Sequence, residues 1–161
     1  MKGKLTLFSA LLTLTACQSA STAIPSKYTE LAVTEGLLAT AQYQSLDRIE
    51  TRYPIEGARD GKDGCATLEY VITPDYQISE VQIVDASARY FAREAVQALQ
   101  KWQWQSVPAG LITTPVKTQT RFEFCLENKE GRCALEQIAK RTSCRGVDAL
   151  PVVGYRVMRP N

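Results

Sequence analysis

The 161-residue chain contains no histidine, which removes the commonest general base and the commonest metal ligand before any motif is sought. It holds no G-x-S-x-G elbow, no phosphate-cradling glycine loop, no H-E-x-x-H and no C-x-x-C pair. Hydrolytic, nucleotide-dependent and thiol-redox catalysis therefore have no residues to stand on. Asp60 and Asp63 come nearest to a carboxylate pair, but they fall in a turn among basic neighbours, where solvation is the better account. Neither an enzyme, a cofactor nor a metal site is expected, since the cysteine spacing does not resemble zinc ligation. Charge of one sign is also lacking. The chain has 19 basic and 17 acidic residues, and setting aside Lys2 and Lys4 leaves 17 of each, which gives no case for nucleic acid as partner. No apolar run reaches the roughly 20 residues that a membrane-spanning helix needs.

What is present begins with a leader. MKGKLTLFSALLTLTAC has a charged start, an apolar run from Leu5 to Leu14 and small residues after it, which reads as a secretory signal over residues 1–16. A cysteine directly after Leu-x-Ala resembles the lipobox of bacterial lipoproteins, which implies diacylation of Cys17 and a stable membrane anchor. An ordinary cleaved signal followed by an incidental cysteine is the alternative. By the lipoprotein sorting pattern, Gln18 in place of Asp implies an outer-membrane lipoprotein facing the periplasm. Residues 17–52 then read as a lipidated tether, loosely helical through Leu31, Leu38, Leu46 and Ile49 and interrupted by Gly36. Fully extended, such a tether reaches at most roughly 120 Å.

The strongest periodic signal is FAREAVQALQKWQW, residues 91–104. At 3.6 residues per turn Phe91, Ala95, Ala98, Leu99 and Trp102 share one side, and Arg93, Glu94, Gln97, Gln100 and Lys101 the other. Ser87 is a candidate cap for this helix, and Trp102 and Trp104 read as core. Two alternating stretches precede it. Residues 65–72 carry Ala66, Leu68, Tyr70 and Ile72 on one face, and residues 78–85 return with Val81 and Ile83 inward after a TPDY turn. A third follows: Val116, Thr118, Thr120, Phe122, Phe124 and Leu126 alternate with Lys117, Gln119, Arg121, Glu123 and Cys125.

Taken in order, Tyr53-Pro54, Ala58, Gly61, Gly64, VITPD at 71–75, VQIV at 81–84, FxREA at 91–95 and KWQW at 101–104 resemble the C-terminal domain of TonB-type energy transducers, over about Tyr53 to Leu126. The resemblance implies an α+β fold of two layers, a three-stranded antiparallel sheet on one main helix, occupying residues 53–126 with a C-terminal extension at 127–161. It further implies that the third strand leaves its outer side unpaired for an extended segment of an outer-membrane transporter. The docking groups would be Lys117, Gln119, Arg121 and Glu123 with the backbone of Thr118, Thr120 and Phe122, beside the opening motif Tyr53 and Pro54. A charged edge that blocks pairing is the competing account of the same residues. The expected partner is protein, either a transporter, a transducer or another envelope component, and a homodimer stays open. The departures are Tyr76 where the family usually has glycine, Ala92 where it often has an acidic residue, and Glu50-Thr51 where Gln-Pro is common. The family's membrane-spanning helix and long proline-rich spacer have no counterpart here, so an accessory of TonB-dependent transport stands against a structural or assembly lipoprotein that kept the fold without energy coupling.

Cys65, Cys125, Cys133 and Cys144 are expected to form disulfides, with three connectivities available. If the first and third strands are antiparallel neighbours, as the resemblance implies, Cys65–Cys125 is favoured, leaving Cys133–Cys144. Residues 132–141 read as a short helix and Val152, Val153, Tyr155 and Val157 as a strand. Residues 129–161 carry seven basic and three acidic side chains, which suits either an anionic surface or a solvated tail. A sharper expectation is that residues 152–158 fold back onto the third strand and fill its free edge.

Overall fold

A computed structural model describes residues 27–127, 131–141 and 143–156. The expected signal, Cys17, the first part of the tether and Val157 lie outside them. The elements are β1 (Val33–Thr34), α1 (Ile55–Asp60), β2 (Gly64–Ile72), β3 (Ile78–Ala86), α2 (Arg89–Leu99), β4 (Val116–Glu127), α3 (Leu135–Ala139) and β5 (Ala149–Tyr155). The fold is α+β, a mixed sheet packed on one main helix. Its order is β1-β4-β2-β3, with β5 also on β4.

The period-two and 3.6-residue patterns meet where the sequence places them. Phe91, Ala95, Ala98 and Leu99 of α2 bury against Ala66, Leu68, Tyr70 and Ile72 of β2 and Phe122 and Phe124 of β4. Removing a Phe or Leu side chain from water contributes about 2 kcal/mol, so this seam supplies most of the hydrophobic stabilisation. Trp102 and Trp104 close it, at 3% and 5% exposure. The helix itself stops at Leu99, and a 3-10 turn at Trp104–Ser106 carries the second indole.

Several expectations are corrected. Ser87 does not cap α2, whose first turn has no side-chain cap. Its Oγ accepts from the Cys65 N–H (2.9 Å) and so closes the β2–β3 ribbon. Ile83 is half exposed rather than inward. Between Thr67 and Leu68, β2 advances by one residue while β3 advances by two, and a second register shift falls between Glu69 and Val71. These bulges break the alternation on which the inward placement rested. Tyr76 takes the left-handed backbone, φ 59°, that glycine would adopt without strain. It is held there by its hydroxyl, which donates to the Pro108 carbonyl (2.6 Å), and by packing at the core margin.

The sheet is neither three-stranded nor wholly antiparallel, and the described part of the tether is not free. Leu38, Tyr43 and Leu46 are buried in the main core, the first two in 3-10 turns at Leu37–Ala39 and Ala41–Tyr43. β1 pairs with β4 in parallel. Beyond residue 131 the chain covers the opposite face of the sheet, where Ile138 of α3 packs with Cys125, Cys133 and Val153.

The two added segments meet at one buried ion pair. Arg48 Nη1 donates to both carboxylate oxygens of Asp148 (3.0 and 3.2 Å), and its Nη2 donates to the Leu38 carbonyl. Asp148, 4% exposed, also accepts from Thr120 Oγ1 (2.8 Å), which lies 2.9 Å from the Tyr70 hydroxyl. A carboxylate so enclosed depends on its partners. Arg48→Met is expected to lower the free energy of unfolding in urea by about 3 kcal/mol, because it strands that charge. Adding Asp148→Leu to it should recover part of the loss.

Candidate functional site

The resemblance implied an open outer side for β4, whereas the sharper expectation had residues 152–158 filling it; β5 does fold back onto β4, and that side is occupied along most of its length. β1 pairs with its first residues, Val33 opposite Lys117 and Thr34 opposite Thr118. β5 pairs with its second half in parallel, from Arg121 opposite Ala149 to Glu127 opposite Tyr155. The Arg121 N–H donates to the Asp148 carbonyl (2.8 Å). With that register, the backbone groups of Arg121, Glu123, Cys125 and Glu127 face β5, and those of the alternate residues face β2. The row of donors and acceptors is real, but the chain's own C-terminal strand has filled it.

The remaining sheet edges are blunted. On β5 the same alternation turns Ala149, Pro151, Val153 and Tyr155 outward, and Pro151 has no N–H to offer a further strand. On β3 the two register shifts disrupt the ladder.

The expected docking side chains are engaged within the chain. Lys117 Nζ donates to the Thr29 carbonyl (3.3 Å) and lies 4.0 Å from Glu69. Gln119 Nε2 donates to Glu69 Oε2 (2.8 Å). Thr118 Oγ1 donates to the Thr34 carbonyl (2.8 Å), and Thr120 joins the Asp148 network. Phe122 belongs to the main core. Arg121 is buried, with Nη1 on the Cys144 carbonyl (3.1 Å) and Nη2 on the Ala139 carbonyl (3.0 Å), so it clamps the extension at the end of α3. Glu123 is 1% exposed, with Arg121 Nε 3.2 Å from its Oε1. Burial pushes its carboxyl up to about 7, although the charges of Arg121 and Arg141 and the Cys144 backbone pull the other way.

The opening motif does more than begin the domain. Tyr53 stands edge-on to Phe91 and Phe124, ring centroids 6.1 and 5.9 Å away, and its hydroxyl donates to the Lys62 carbonyl. Burial, then the nearby Asp63 charge, keep that phenol protonated well above its ordinary range. Its ring lies over Gly154 of β5, where a Cβ would fall 2.2 Å from Tyr53 Cγ. Asp63 is an ion-paired carboxylate. Burial raises its pKa, but the Leu126 N–H, Arg132 and Arg141 outweigh that and hold it below the usual value.

All four cysteines beyond residue 17 are in disulfides, but the favoured pairing is corrected to Cys65–Cys144 and Cys125–Cys133. Cys65 lies opposite Glu123 rather than Cys125, and the extension crossing the back of the sheet brings Cys144 over it. In the chain-entropy account the first bridge, spanning 79 residues, is worth about 4.5 kcal/mol, and the second, spanning 8, about 2.5 kcal/mol. Cys65–Cys144 is therefore the stronger constraint, and it fixes the segment that leads into β5. Arg48, Asp148 and Gly154 were not picked out from sequence. The one available signal was a glycine inside a period-two run.

Residues 49–126 match the family described as the Gram-negative bacterial TonB protein C-terminal. Those residues, a little under half of the chain, are similar to the TonB C-terminal domain. Over 97 residues the chain is 28% identical to Protein TonB of Yersinia enterocolitica, covering 60% of this chain and 38% of that protein. It is also similar to the solution NMR structure of the Pseudomonas aeruginosa TonB C-terminal domain, at 20% identity, with 53% of this chain and 91% of that chain covered and a TM-score of 0.40. The TonB C-terminal family is non-catalytic. Both segments on the outer side of β4 lie outside the matched TonB residues: β1 precedes them, and α3 and β5 follow. Among the described residues no helix is long and apolar enough to cross a membrane.

Glu123 provides a pH test of this packing. Its folded pKa lies above the ordinary 4.5, so the folded state binds the proton more tightly than the unfolded one. Its contribution to stability is complete below about pH 4.5 and is lost as pH rises to about 7. Glu123→Gln should flatten that part of the urea-midpoint profile and raise the midpoint at pH 8.

Proposed function

We propose that this TonB C-terminal domain binds an extended segment of an outer-membrane receptor of TonB-dependent transport along the outer side of β4, after β5 gives way. One observation supports the reading above the others. The strand filling that side comes from outside the matched family segment and makes, in parallel, backbone pairing of the kind that strand addition uses. The family implies such receptors as partners. Two disulfides fit an oxidising compartment, so the cell envelope is the proposed location. A lipid at Cys17 would hold the chain at the outer membrane, on the periplasmic side. Both anchoring and receptor binding belong to this proposal.

β5 makes the interaction conditional. Its start is pinned by Cys144 and by the Arg48–Asp148 pair, whereas Tyr155 at its far end is exposed. A competing strand would therefore enter at the Glu127 end and peel β5 back towards Ala149. A second reading, an envelope protein that keeps the fold without energy coupling, is favoured by Arg121, which holds the extension in place of a partner, and by Glu123, which is buried beside it.

The two readings separate in cells. Val152→Asp puts a charge where β5 meets the core and should unseat that strand. Pull-down with this variant is expected to recover at least about fivefold more receptor than the wild-type chain, on the scale of removing an intramolecular competitor. No receptor from either chain, together with normal receptor-dependent uptake on deletion, would leave the structural reading.

A further inference from the structure

β5 records what the outer side of β4 accepts. Leu150, Val152 and Gly154 lie opposite Phe122, Phe124 and Leu126 and so share the helix-facing side of the sheet. Val152 is 3% exposed within the main core, and Leu150 packs against the same cluster. At position 154 the space is already taken, because a Cβ would stand 2.2 Å from Tyr53 Cγ and 2.7 Å from Tyr53 Cβ. Those atoms are the root of the side chain, which cannot swing aside while the hydroxyl is tied to Lys62 and the ring is wedged between Phe91 and Phe124. The other three positions are less demanding. Pro151 is tolerated because its nitrogen faces away from β4, Val153 meets the small disulfide cluster, and Tyr155 is 71% exposed.

We propose that β5 stands in for the partner, and that the site takes, parallel to β4, an extended polypeptide with aliphatic side chains at two alternate positions and a glycine two residues later, selected by Tyr53. This inference rests on the strand-displacement reading above and adds a residue pattern and a selecting side chain to it. An extra methyl against a fixed ring is a packing clash of the kind that costs about tenfold or more in binding.

The test uses the full-length chain carrying Gly154→Ala, in which β5 itself meets the clash, and two synthetic heptapeptides: ALPVVGY and the same peptide with alanine for glycine. Amide exchange at Arg121, Glu123 and Cys125 is expected to speed up relative to wild type. The glycine peptide should bind this variant, and bind wild type far more weakly because an attached strand competes at an effective concentration on the order of millimolar. The alanine peptide should bind the variant about tenfold more weakly. Adding Tyr53→Ala should abolish that preference. Equal affinities, or amides that stay protected in Gly154→Ala, would overturn the selection by Tyr53 while leaving strand pairing intact. Opened amides with neither peptide bound would instead overturn β4 as the docking strand. Should Gly154→Ala fail to fold by circular dichroism, Val152→Ala, which thins the anchor of β5 without touching Tyr53, carries the same peptide comparison.

Discussion

A strand in the middle of a sheet presents backbone donors and acceptors on both flanks, and each one left buried and unpaired costs about 1–3 kcal/mol. β4 is that strand here. Its inner flank is satisfied by β2 over nine residue pairs from Gly64 opposite Phe124 to Ile72 opposite Val116. Its outer flank is satisfied by two segments of the same chain, β1 ahead of the matched TonB residues and β5 beyond them. The chain therefore supplies the pairing along that flank from segments on either side of the matched residues.

The polar side chains follow from this arrangement. Once the extension crosses the back of the sheet, Arg121 and Glu123 lose their water, and only intramolecular contacts can compensate. Arg121 does so through two carbonyls of the extension, and Glu123 through proximity to Arg121 together with a raised pKa. Where the two added segments converge, Arg48 and Asp148 form a pair that neither segment could bury alone. Arg121 and the Arg48–Asp148 pair stabilise the capped state at several points, so uncapping requires competition for the whole strand rather than the loss of one contact.

Cys65–Cys144 and Tyr53 divide the control of β5 between its two ends. The disulfide fixes the approach to the strand through the covalent chain. Tyr53 governs the far end by shape, since its ring leaves room for backbone but not for a side chain. A strand held covalently at one end and by packing at the other can exchange without leaving the molecule, which keeps any displaced state short-lived.

The amphipathic pattern of residues 91–104 and the alternation of β2 and β4 were legible in the sequence, because side-chain periodicity reports which face is buried. The ordered motifs from Tyr53 to Leu126 were legible separately, through their resemblance to the TonB C-terminal family. What lies across a flank has no such signature, because strand pairing runs through backbone groups that every residue carries. The alternation of β4 could not reveal that β1 lies beside it, and although the fold-back of residues 152–158 was expected, the register and parallel sense of β5 were not. Nor could charge patterning show that Arg121 and Glu123 are buried, since a solvated edge and a covered one are written in the same residues. The disulfide partners were misjudged because the extension's path over the sheet, not the spacing of the cysteines, set which sulfurs came within reach. Local periodicity thus determined the elements and their buried faces, while tertiary structure decided the occupants of β4's outer flank, because that choice depends on contacts between segments 100 residues apart at Arg48 and Asp148.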